Sequence, residues 1–545
     1  MLDFTNLFQE LNKYKDLIKQ LVEQNQRLTE ENLSLKNRHD VALNTISLLQ
    51  DEIQKFKDEI ARLKGQKPKP KIPPSTLEGA NSKENSQNKI PRGTSPRRKK
   101  TNQLHIHVRT RIKPVNIPDA AIYKGYKKFT VQDIIIQPNN TVFELERWQL
   151  PDGSYINGEL PKNIQGHYGP QLISYIIHQY YGCRVTQPLL FSQLKEIGVL
   201  ISEGQLNNVL IQNKNSFHEE KDGLLAAGIL AGQLKVDDTG ARHNGQNGYS
   251  TVIGNDYFTA VTSTDSKSRI NFLQILHGSN PQYLINEDTA EYIENIKSEN
   301  WLSGYLLAQA SKKIMNQEEW NRFLIDINLT AEADIRLATE AALFASLIEN
   351  GMPKNIGIHG DDAGQFNAFV RSLCRVHQER HYRKIIPADE ETRNAIEEIR
   401  EGIWDLYKGL KAYKIAPSYN LRNVLEQKFE NLFSKTTISP TLNKQLAKTY
   451  SKKEELLRVL ERPETPLHNN GTETDCREMV VKKKISGGTR SDEGKKCRDT
   501  FISIKKTCHK LKINFLSYLK DRVNKKFEIP ELTEIIKAAI KLNTS

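Results

Sequence analysis

The sequence predicts a mixed α/β protein of several domains, with a coiled coil at its start and an α/β core in its second half. Three observations support this prediction. The 545 residues are about three to four times the usual length of one domain. Apolar residues recur every seven positions over residues 7–63. Beyond residue 226, short apolar runs typical of strands alternate with helical patterns.

Charge and cysteine content restrict the function classes. Lys and Arg number 79 against 66 Asp and Glu, so the formal net charge is +13 and the pI is about 9.2. This balance favours a polyanionic partner, with nucleic acid as the first candidate. The five scattered cysteines predict reduced thiols. Because no apolar run reaches about 18 residues and no secretory signal is visible, we expect a soluble chain that stays inside the cell, with no membrane partner.

The first 66 residues are predicted to form a parallel coiled coil. Leucines fall at the d positions of the heptad, and β-branched residues and asparagines at the a positions. This combination favours two parallel strands, and a buried Asn at a fixes the register because it must pair with its mate. The alternative is a long helix folded back on the globular part of the chain. The residues expected at the dimer interface are Leu21, Asn25, Leu28, Asn32 and Leu35.

The next two segments, residues 67–103 and 104–165, differ in composition. Residues 67–103 are rich in Pro, Ser, Asn and Lys, which predicts a disordered basic linker. Its end either neutralises DNA phosphates or only solubilises the linker, and the residues concerned are Arg97, Arg98, Lys99 and Lys100. Residues 104–165, with VQDIIIQ, TVFELERW and a PDG turn, predict a small β-rich module. This module has no cysteine and therefore no thiolate ligands for zinc.

Residues 166–225 predict a helical region that contains a helix-turn-helix. Pro188 suits the first turn of a helix, Gly198 suits the turn, and Ser202 suits the N-cap of a second helix. In a DNA-binding helix-turn-helix the second helix reads the major groove. Helical hairpins of this shape are also ordinary packing units, so both interpretations stay open. The candidate base readers are Gln205, Asn207 and Asn208.

Three acidic segments carry the candidate chemistry. The apolar run ILAGQLKV is predicted to be a strand that ends at Asp237 and Asp238, followed by two further strands. The run IGIH predicts a short strand that ends at Asp361, and Glu473 is predicted to lie on a helix that begins near Asn470. Convergent carboxylates on rigid elements are the ligands that two hard divalent cations need for phosphoryl-transfer chemistry. Each acidic pair taken alone is more typical of a solvated loop or a helix cap, because aspartates after strands are common.

Basic residues and one histidine accompany these carboxylates. They would contact the DNA backbone or, on the alternative view, form a solvated loop and a packed core histidine. They are His377, Arg477, Lys482, Lys483, Lys484 and Arg490. No phosphate-binding loop, nucleophile elbow or dinucleotide fingerprint is evident, so ATP-driven, acyl-transfer and redox classes have no support.

Five strings, in order, give the chain a recognisable resemblance. KVDDTG, GDDAGQFN, CRVHQERHYRK, HNNGTETDCR and KKKISGGTRSDEG resemble the core signatures of DDE transposases, specifically the TnpC-type enzymes of the insertion-sequence family numbered sixty-six. The resemblance covers roughly residues 160–525. It implies that Asp237, Asp361 and Glu473 are the catalytic residues and metal ligands. The chain departs from the family pattern at Asp238, where glutamate is usual, and at Thr474, where arginine is usual.

The resemblance also implies a fold and an activity. The fold is an α/β, RNase H-like catalytic core over residues 226–525, with helical insertions around 280–350 and 388–462 and a C-terminal helix at 526–545. The activity is 3′-end cleavage and strand transfer with two Mg²⁺ ions per active site, for which Mn²⁺ can substitute. Implied partners are the element's terminal inverted repeats, target DNA, a second copy or larger synaptic assembly, and accessory proteins of the same element. The expected location is the cytoplasm of a bacterium, with the nucleoid. The alternative is a catalytically inactive DNA-binding derivative.

Overall fold

The computed structural model describes residues 19–20, 24–28, 105–164, 166–297, 301–309 and 313–544. The chain divides into two compact units, Met1–Gln132 and Asp133–Ser545. Several predicted positions lie outside the described residues, namely Leu21, Asn32, Leu35, Arg97, Arg98, Lys99 and Lys100. Within the described parts of the chain, no helix is long and apolar enough to cross a membrane.

The first unit has a short described helical stretch. Residues 24–28 are helical and include Asn25 and Leu28. Leu28, a predicted d position, is 49% exposed. Its apolar side chain is therefore open on the surface of a single chain, and the predicted coiled-coil dimer stays a prediction.

In the described part of the predicted β-rich module, residues 105–164, the strands form one hairpin. Strands β1 (Arg147–Gln149) and β2 (Tyr155–Asn157) pair antiparallel around the predicted PDG turn, in which Gly153 has φ +83°. The strand predicted at 131–137 was wrong, because these residues have no strand partner and Ile134, Ile135 and Ile136 are exposed. A strand needs a neighbour for its backbone groups, and an apolar pattern alone does not supply one.

A group of helices precedes the main sheet. The helices are α1 (Pro170–Ile177), α2 (Gln187–Ile197), α3 (Glu203–Ile211) and α4 (Asn215–Ile229). The predicted end signals are confirmed: Pro188 lies in the first turn of α2, and Gly198 closes α2 in the left-handed region at φ +92°. The Ser202 hydroxyl accepts a hydrogen bond from the backbone N–H of Gln205 at the start of α3.

The centre of the second unit is a five-stranded mixed sheet with the order β5-β4-β3-β6-β7. Its strands are β3 (Gln233–His243), β4 (Gln246–Gly254), β5 (Thr259–Thr264), β6 (Gly357–Gly360) and β7 (Val370–Leu373). The first three strands are antiparallel neighbours, whereas β6 runs parallel to β3 and to β7. The prediction that the first strand ends at Asp237 was wrong: β3 continues to His243 because its second half pairs with β4.

Helices connect and cover the strands. Between β5 and β6 lie α5 (Arg269–His277), α6 (Glu287–Ile296), α7 (Trp301–Ala308), α8 (Gln317–Asp326) and α9 (Glu332–Glu349). After β7 come α10 (Arg375–Arg383), α11 (Glu390–Ile415), α12 (Tyr419–Phe433), α13 (Pro440–Tyr450) and α14 (Lys453–Leu457). The chain ends with α15 (Asn470–Ser486), α16 (Asp492–Lys510), α17 (Phe515–Val523) and α18 (Leu532–Thr544).

The two faces of the sheet pack against different helices. Val252 packs with Cys476 and Met479 of α15. Its neighbour Ile253 belongs to the large core on the opposite face. The side chains of α11, α12 and α13 form a separate apolar cluster with the end of β7. This alternation decides which side chains of β3 face α15, because a residue of β3 shares a face with its partner on β4.

Candidate active site

Asp237 lies on β3, and Asp361 directly follows the neighbouring strand β6. β3 and β6 run parallel, with Lys235 opposite His359 as the last paired position. Asp237 and Asp361 each follow that position by two residues, so they share one face of adjacent strands spaced about 4.8 Å apart. Asp237 is also opposite Val252, which places its side chain on the face that α15 covers.

Glu473 reaches this edge of the sheet from the first turn of α15. The residue before the helix, Asn469, is fully buried, and its Nδ2 donates a hydrogen bond of 2.9 Å to the carbonyl oxygen of Val236. The start of the helix is therefore tied to the residue directly before Asp237. The prediction that Glu473 lies on a helix beginning near Asn470 is confirmed.

The electrostatics show that the three carboxylates are close enough to influence one another. The pKa of Asp237 is raised to about 6, mainly by burial and also by the negative charges of Asp361 and Glu473, against hydrogen bonds from the Asp238 backbone N–H and the Cys476 side chain that lower it. Burial and the negative charge of Asp237 also raise the pKa of the Cys476 thiol well above its ordinary value. A half-buried, mutually repelling group of carboxylates is favourable only if positive charge offsets it.

The neighbouring aspartate Asp238 faces away from this group and is fully engaged. Its side chain is 4% exposed. It accepts hydrogen bonds of 2.6 Å from Thr251 Oγ1 and from Gln365 Nε2, and Lys267 Nζ lies 3.7 Å away. Asp238 is opposite Thr251 in the sheet, so the hydrogen bond follows directly from the strand register. Its role in the structure is therefore to bind the Gln365 segment to the sheet.

Asp362 is surrounded by cations. Arg371 NH2 lies 3.1 Å from its Oδ1 and Lys448 Nζ lies 3.5 Å from its Oδ2. The Lys452 ammonium also donates to its Oδ1. Although burial alone would raise the pKa of Asp362, these partners hold it below its ordinary value. In each acidic pair, the first aspartate belongs to the carboxylate group and the second is neutralised elsewhere.

Glu473 itself has two partners on α10. Arg380 NH1 and NH2 each lie 3.4 Å from one of its carboxylate oxygens, and His377 Nε2 lies 3.5 Å from Oε1. Arg380 NH1 also contacts His377 Nε2 at 3.0 Å, and burial lowers the pKa of His377. Among the described residues, no cluster of three or more His, Cys, Asp or Glu side chains is arranged to hold a metal ion.

Sequence reasoning missed Arg380, although it lies within the string CRVHQERHYRK. Its three-residue spacing from His377 on one helix was the available signal, since residues so spaced are neighbours on the helix surface. It also missed Lys448 and Lys452, which reach Asp362 from 86 and 90 residues further along the chain. No local pattern marks contacts of that kind.

The predicted DNA contacts after Glu473 fall in different environments. Three of them are exposed, namely Arg477, Lys484 and Arg490. Lys483 Nζ donates a hydrogen bond of 2.7 Å to the carbonyl oxygen of Gly240. Lys482 departs from the prediction: it is 4% exposed, and its Nζ lies 3.7 Å from the centre of the Tyr180 ring. Burial lowers the pKa of Lys482 to about 8, and its position makes it a packing residue instead of a surface contact.

The predicted base readers lie on α3. Gln205 is exposed, whereas Asn207 and Asn208 are half-buried. Asn207 Oδ1 accepts a hydrogen bond of 3.1 Å from Gln187 Nε2, which joins α3 to α2. Gln205 is therefore the most accessible of the three.

Comparison with known proteins identifies the family. The sequence profile described as "Transposase IS66 family" matches residues 362–497. The chain is also 37% identical over 303 residues to the uncharacterized protein y4jO of Sinorhizobium fredii (strain NBRC 101917 / NGR234), covering 94% of that relative and 55% of this chain.

The chain belongs to the IS66 transposase family.

The family match fits the geometry of the site. The IS66 profile includes Glu473, the His377–Arg380 turn of α10 and the whole of α11 to α14, and it begins one residue after Asp361. Asp237 lies before the matched stretch, so its place in the site depends on the pairing of β3 with β6. No solved structure matches the chain.

Proposed function

We propose that this IS66-family chain is a DNA transposase that cleaves 3′ ends and transfers strands by a two-metal mechanism. The observation that carries the proposal is that Asp361 and Glu473 both act electrostatically on Asp237, whose pKa is raised to about 6 mainly by burial and also by these two carboxylates. Family membership supports the transposase activity.

The sheet supports an RNase H-like core. In chain order its strands are arranged 3-2-1-4-5, with three antiparallel strands followed by two parallel ones. The first aspartate lies on the first strand, the second follows the fourth strand, and the glutamate lies on a late helix. This is the arrangement that the resemblance to DDE transposases implies.

The residues present fit divalent cations by their chemistry. Ionised oxygen ligands suit Mg²⁺, with Mn²⁺ as a substitute, and the repulsion within the carboxylate group is the electrostatic cost that bound cations would remove. Asp237, Asp361 and Glu473 would hold the two ions, which supply an activated water or 3′-hydroxyl and stabilise the leaving oxygen. To bind the ions, Glu473 would give up its contacts with Arg380 and His377. The released Arg380 guanidinium is then available to a DNA phosphate.

Other parts of the chain supply DNA binding and assembly in this proposal. The α2–α3 pair would act as the helix-turn-helix that reads the terminal repeats, with Gln205 as the accessible reader and Asn207 and Asn208 beside it. The heptad region would pair two copies through Asn25 and Leu28. Arg97, Arg98, Lys99 and Lys100 would add sequence-independent phosphate contacts. Target DNA and accessory proteins of the element would complete the assembly. The assembly would work in the bacterial cytoplasm, associated with the nucleoid.

A specific observation favours a second candidate, a catalytically inactive DNA-binding derivative. Arg380 and His377 both contact the Glu473 carboxylate, which is then not free to bind a metal ion. In addition, Thr474 stands where arginine is usual in the family. The Asp238 departure carries less weight, because that side chain faces away from the carboxylate group toward Thr251 and Gln365.

A cleavage and joining assay separates the two candidates. The native chain is incubated with Mg²⁺ or Mn²⁺ and DNA that carries the element's own ends, beside Asp237→Ala, Asp361→Ala and Glu473→Ala. Asp256→Ala is the matched control, because Asp256 is an exposed aspartate that forms an ion pair with Lys235 and is not one of the three proposed metal ligands. The proposal expects cutting and joining by the native and control chains alone, with end binding kept in all variants. Binding without any cleavage by the native chain would favour the inactive derivative.

A further inference from the structure

The helical segment between β7 and α15 brings two lysines to the edge of the carboxylate group. Lys448 lies in the last turn of α13, and Lys452 lies between α13 and α14. Both contact Asp362, the residue directly after Asp361. Arg371 of β7 completes this group. We call Arg371, Lys448 and Lys452 the insert cluster.

The insert cluster has more positive charge than its counter-ion neutralises. Three cations share the single carboxylate of Asp362, which neutralises one of them. The neighbouring carboxylates of Asp237, Asp361 and Glu473 would be neutralised by divalent cations in the proposed function, which leaves two positive charges of the cluster in excess. His381 of α10 lies beside the cluster, where burial and the charges of Lys448 and Lys384 lower its pKa, while Asp362 and His377 act in opposite directions. A neutral His381 neither adds to the excess nor offsets it.

Other lysines of the same helical segment are paired differently. Lys428 contacts Asp405, Lys435 contacts Glu398 and Lys453 contacts Glu430, one acid for each lysine. Such exposed pairs contribute little to stability, but they balance charge locally. Gathering three cations around one carboxylate has no comparable structural benefit, because like charges repel. The excess therefore indicates a ligand with negative charge.

The position of the insert cluster limits what that ligand can be. Arg371 NH2 donates hydrogen bonds to the backbone carbonyl oxygens of Asp361, at 3.2 Å, and of Ala363. The cluster is therefore fixed directly beside the carboxylates that would act on a phosphodiester. Arg371 is 11% exposed, Lys452 is 21% exposed and Lys448 is 54% exposed, so the two lysines are accessible from the surface and Lys448 is the most exposed of the three cations.

We propose that the insert cluster binds the phosphate backbone of DNA next to the bond that is cleaved. The helical segment α11–α14 would thus be a DNA-binding element, and Lys448 and Lys452 would be its backbone contacts. This inference rests on the proposed function, since it names a further DNA contact of that same site. Phosphate contacts of this type hold the duplex in position and carry no sequence information.

The test measures how the affinity of the full chain for DNA depends on salt. Binding to an end-containing duplex and to a random duplex is followed from about 50 to 200 mM salt, with a chelator present so that no cleavage occurs. The variants are Lys448→Gln with Lys452→Gln, and the matched control is Lys435→Gln, a lysine of the same segment that Glu398 already neutralises.

The proposal expects the double variant to bind both duplexes more weakly. The slope of log K against log salt should be shallower by about 0.9 for each lost phosphate contact, hence by nearly 2, while Lys435→Gln keeps the native slope. Lys448→Gln alone, at the most exposed position, gives half of this change if the double variant does not fold. Asp362→Asn should act in the opposite direction and steepen the slope.

A native slope in both lysine variants would overturn the proposal. This outcome is separate from failure of the proposed function. A chain that never cleaves DNA still reports the slope, and a chain that cleaves normally can still show that the lysines make no contact.

Discussion

Asp237→Asn should make the chain more stable, whereas Asp238→Asn should make it less stable. A pKa raised from 3.8 to about 6 means that ionising Asp237 costs the folded state about 3 kcal/mol at pH 7. Asparagine has no charge to bury. The expected gain in unfolding free energy is about 1–3 kcal/mol, because the amide also loses part of the hydrogen bonding of the carboxylate.

Asp238 supplies the matched control on the same strand. Its two oxygens accept hydrogen bonds from Thr251 and Gln365, and an amide can accept at only one of these positions. Leaving a buried donor unpaired costs about 1–3 kcal/mol. Adjacent residues with the same chemical change should therefore shift stability in opposite directions.

The assay is urea unfolding of the full chain in the presence of a chelator, so that no metal offsets the repulsion. The pH dependence adds a second measurement. Between pH 3.8 and about 6 the folded chain holds a proton on Asp237 that the unfolded chain has lost. The contribution of Asp237 to stability should thus fall as pH rises through this window, and Asp237→Asn should remove that fall. If Asp237→Asn destabilises the chain as much as Asp238→Asn, the inferred repulsion among the three carboxylates is wrong.

Two further predictions concern metal binding and assembly. Arg380→Gln should tighten Mn²⁺ binding by up to about fivefold without DNA, because a half-exposed ion pair worth about 0.2–1 kcal/mol no longer competes for Glu473. Electron paramagnetic resonance of free Mn²⁺ measures this affinity, Arg393→Gln on the surface of α11 is the control, and unchanged affinity would show that Arg380 does not compete. Sedimentation of the full native chain should show a dimer. Asn25→Leu should broaden the distribution to other oligomers, because the asparagine that fixes the register is gone. A monomeric native chain would exclude the predicted coiled coil.

Local signals in the sequence predicted the elements that local chemistry determines. Ser202 and Gly198 marked helix ends because capping depends on neighbouring backbone groups. The PDG turn marked the β1–β2 hairpin for the same reason. Asp361 was placed after the correct strand because the apolar run IGIH before it is short and clearly bounded. Glu473 was also placed on the correct helix, which begins at Asn470.

Features that depend on distant partners could not be predicted in this way. β3 extends past Asp237 because β4 pairs with it, although the Asn-Gly step at 244–245, where both residues have positive φ, marks the true turn. Residues 131–137 have the composition of a strand but no neighbour to pair with. The partners of Glu473 and Asp362 lie about 90 residues away in sequence, so only the folded chain shows that Arg380, Lys448 and Lys452 belong to the site.

The most direct test of the two-metal account is to locate the metal ions themselves. Crystals of the native chain with Mn²⁺ and a DNA end would show the ions by anomalous scattering. The account predicts two ions about 3.5–4 Å apart, held by Asp237, Asp361 and Glu473, with Glu473 no longer paired with Arg380. Ions bound elsewhere, or a DNA-bound site in which Glu473 still pairs with Arg380, would contradict it.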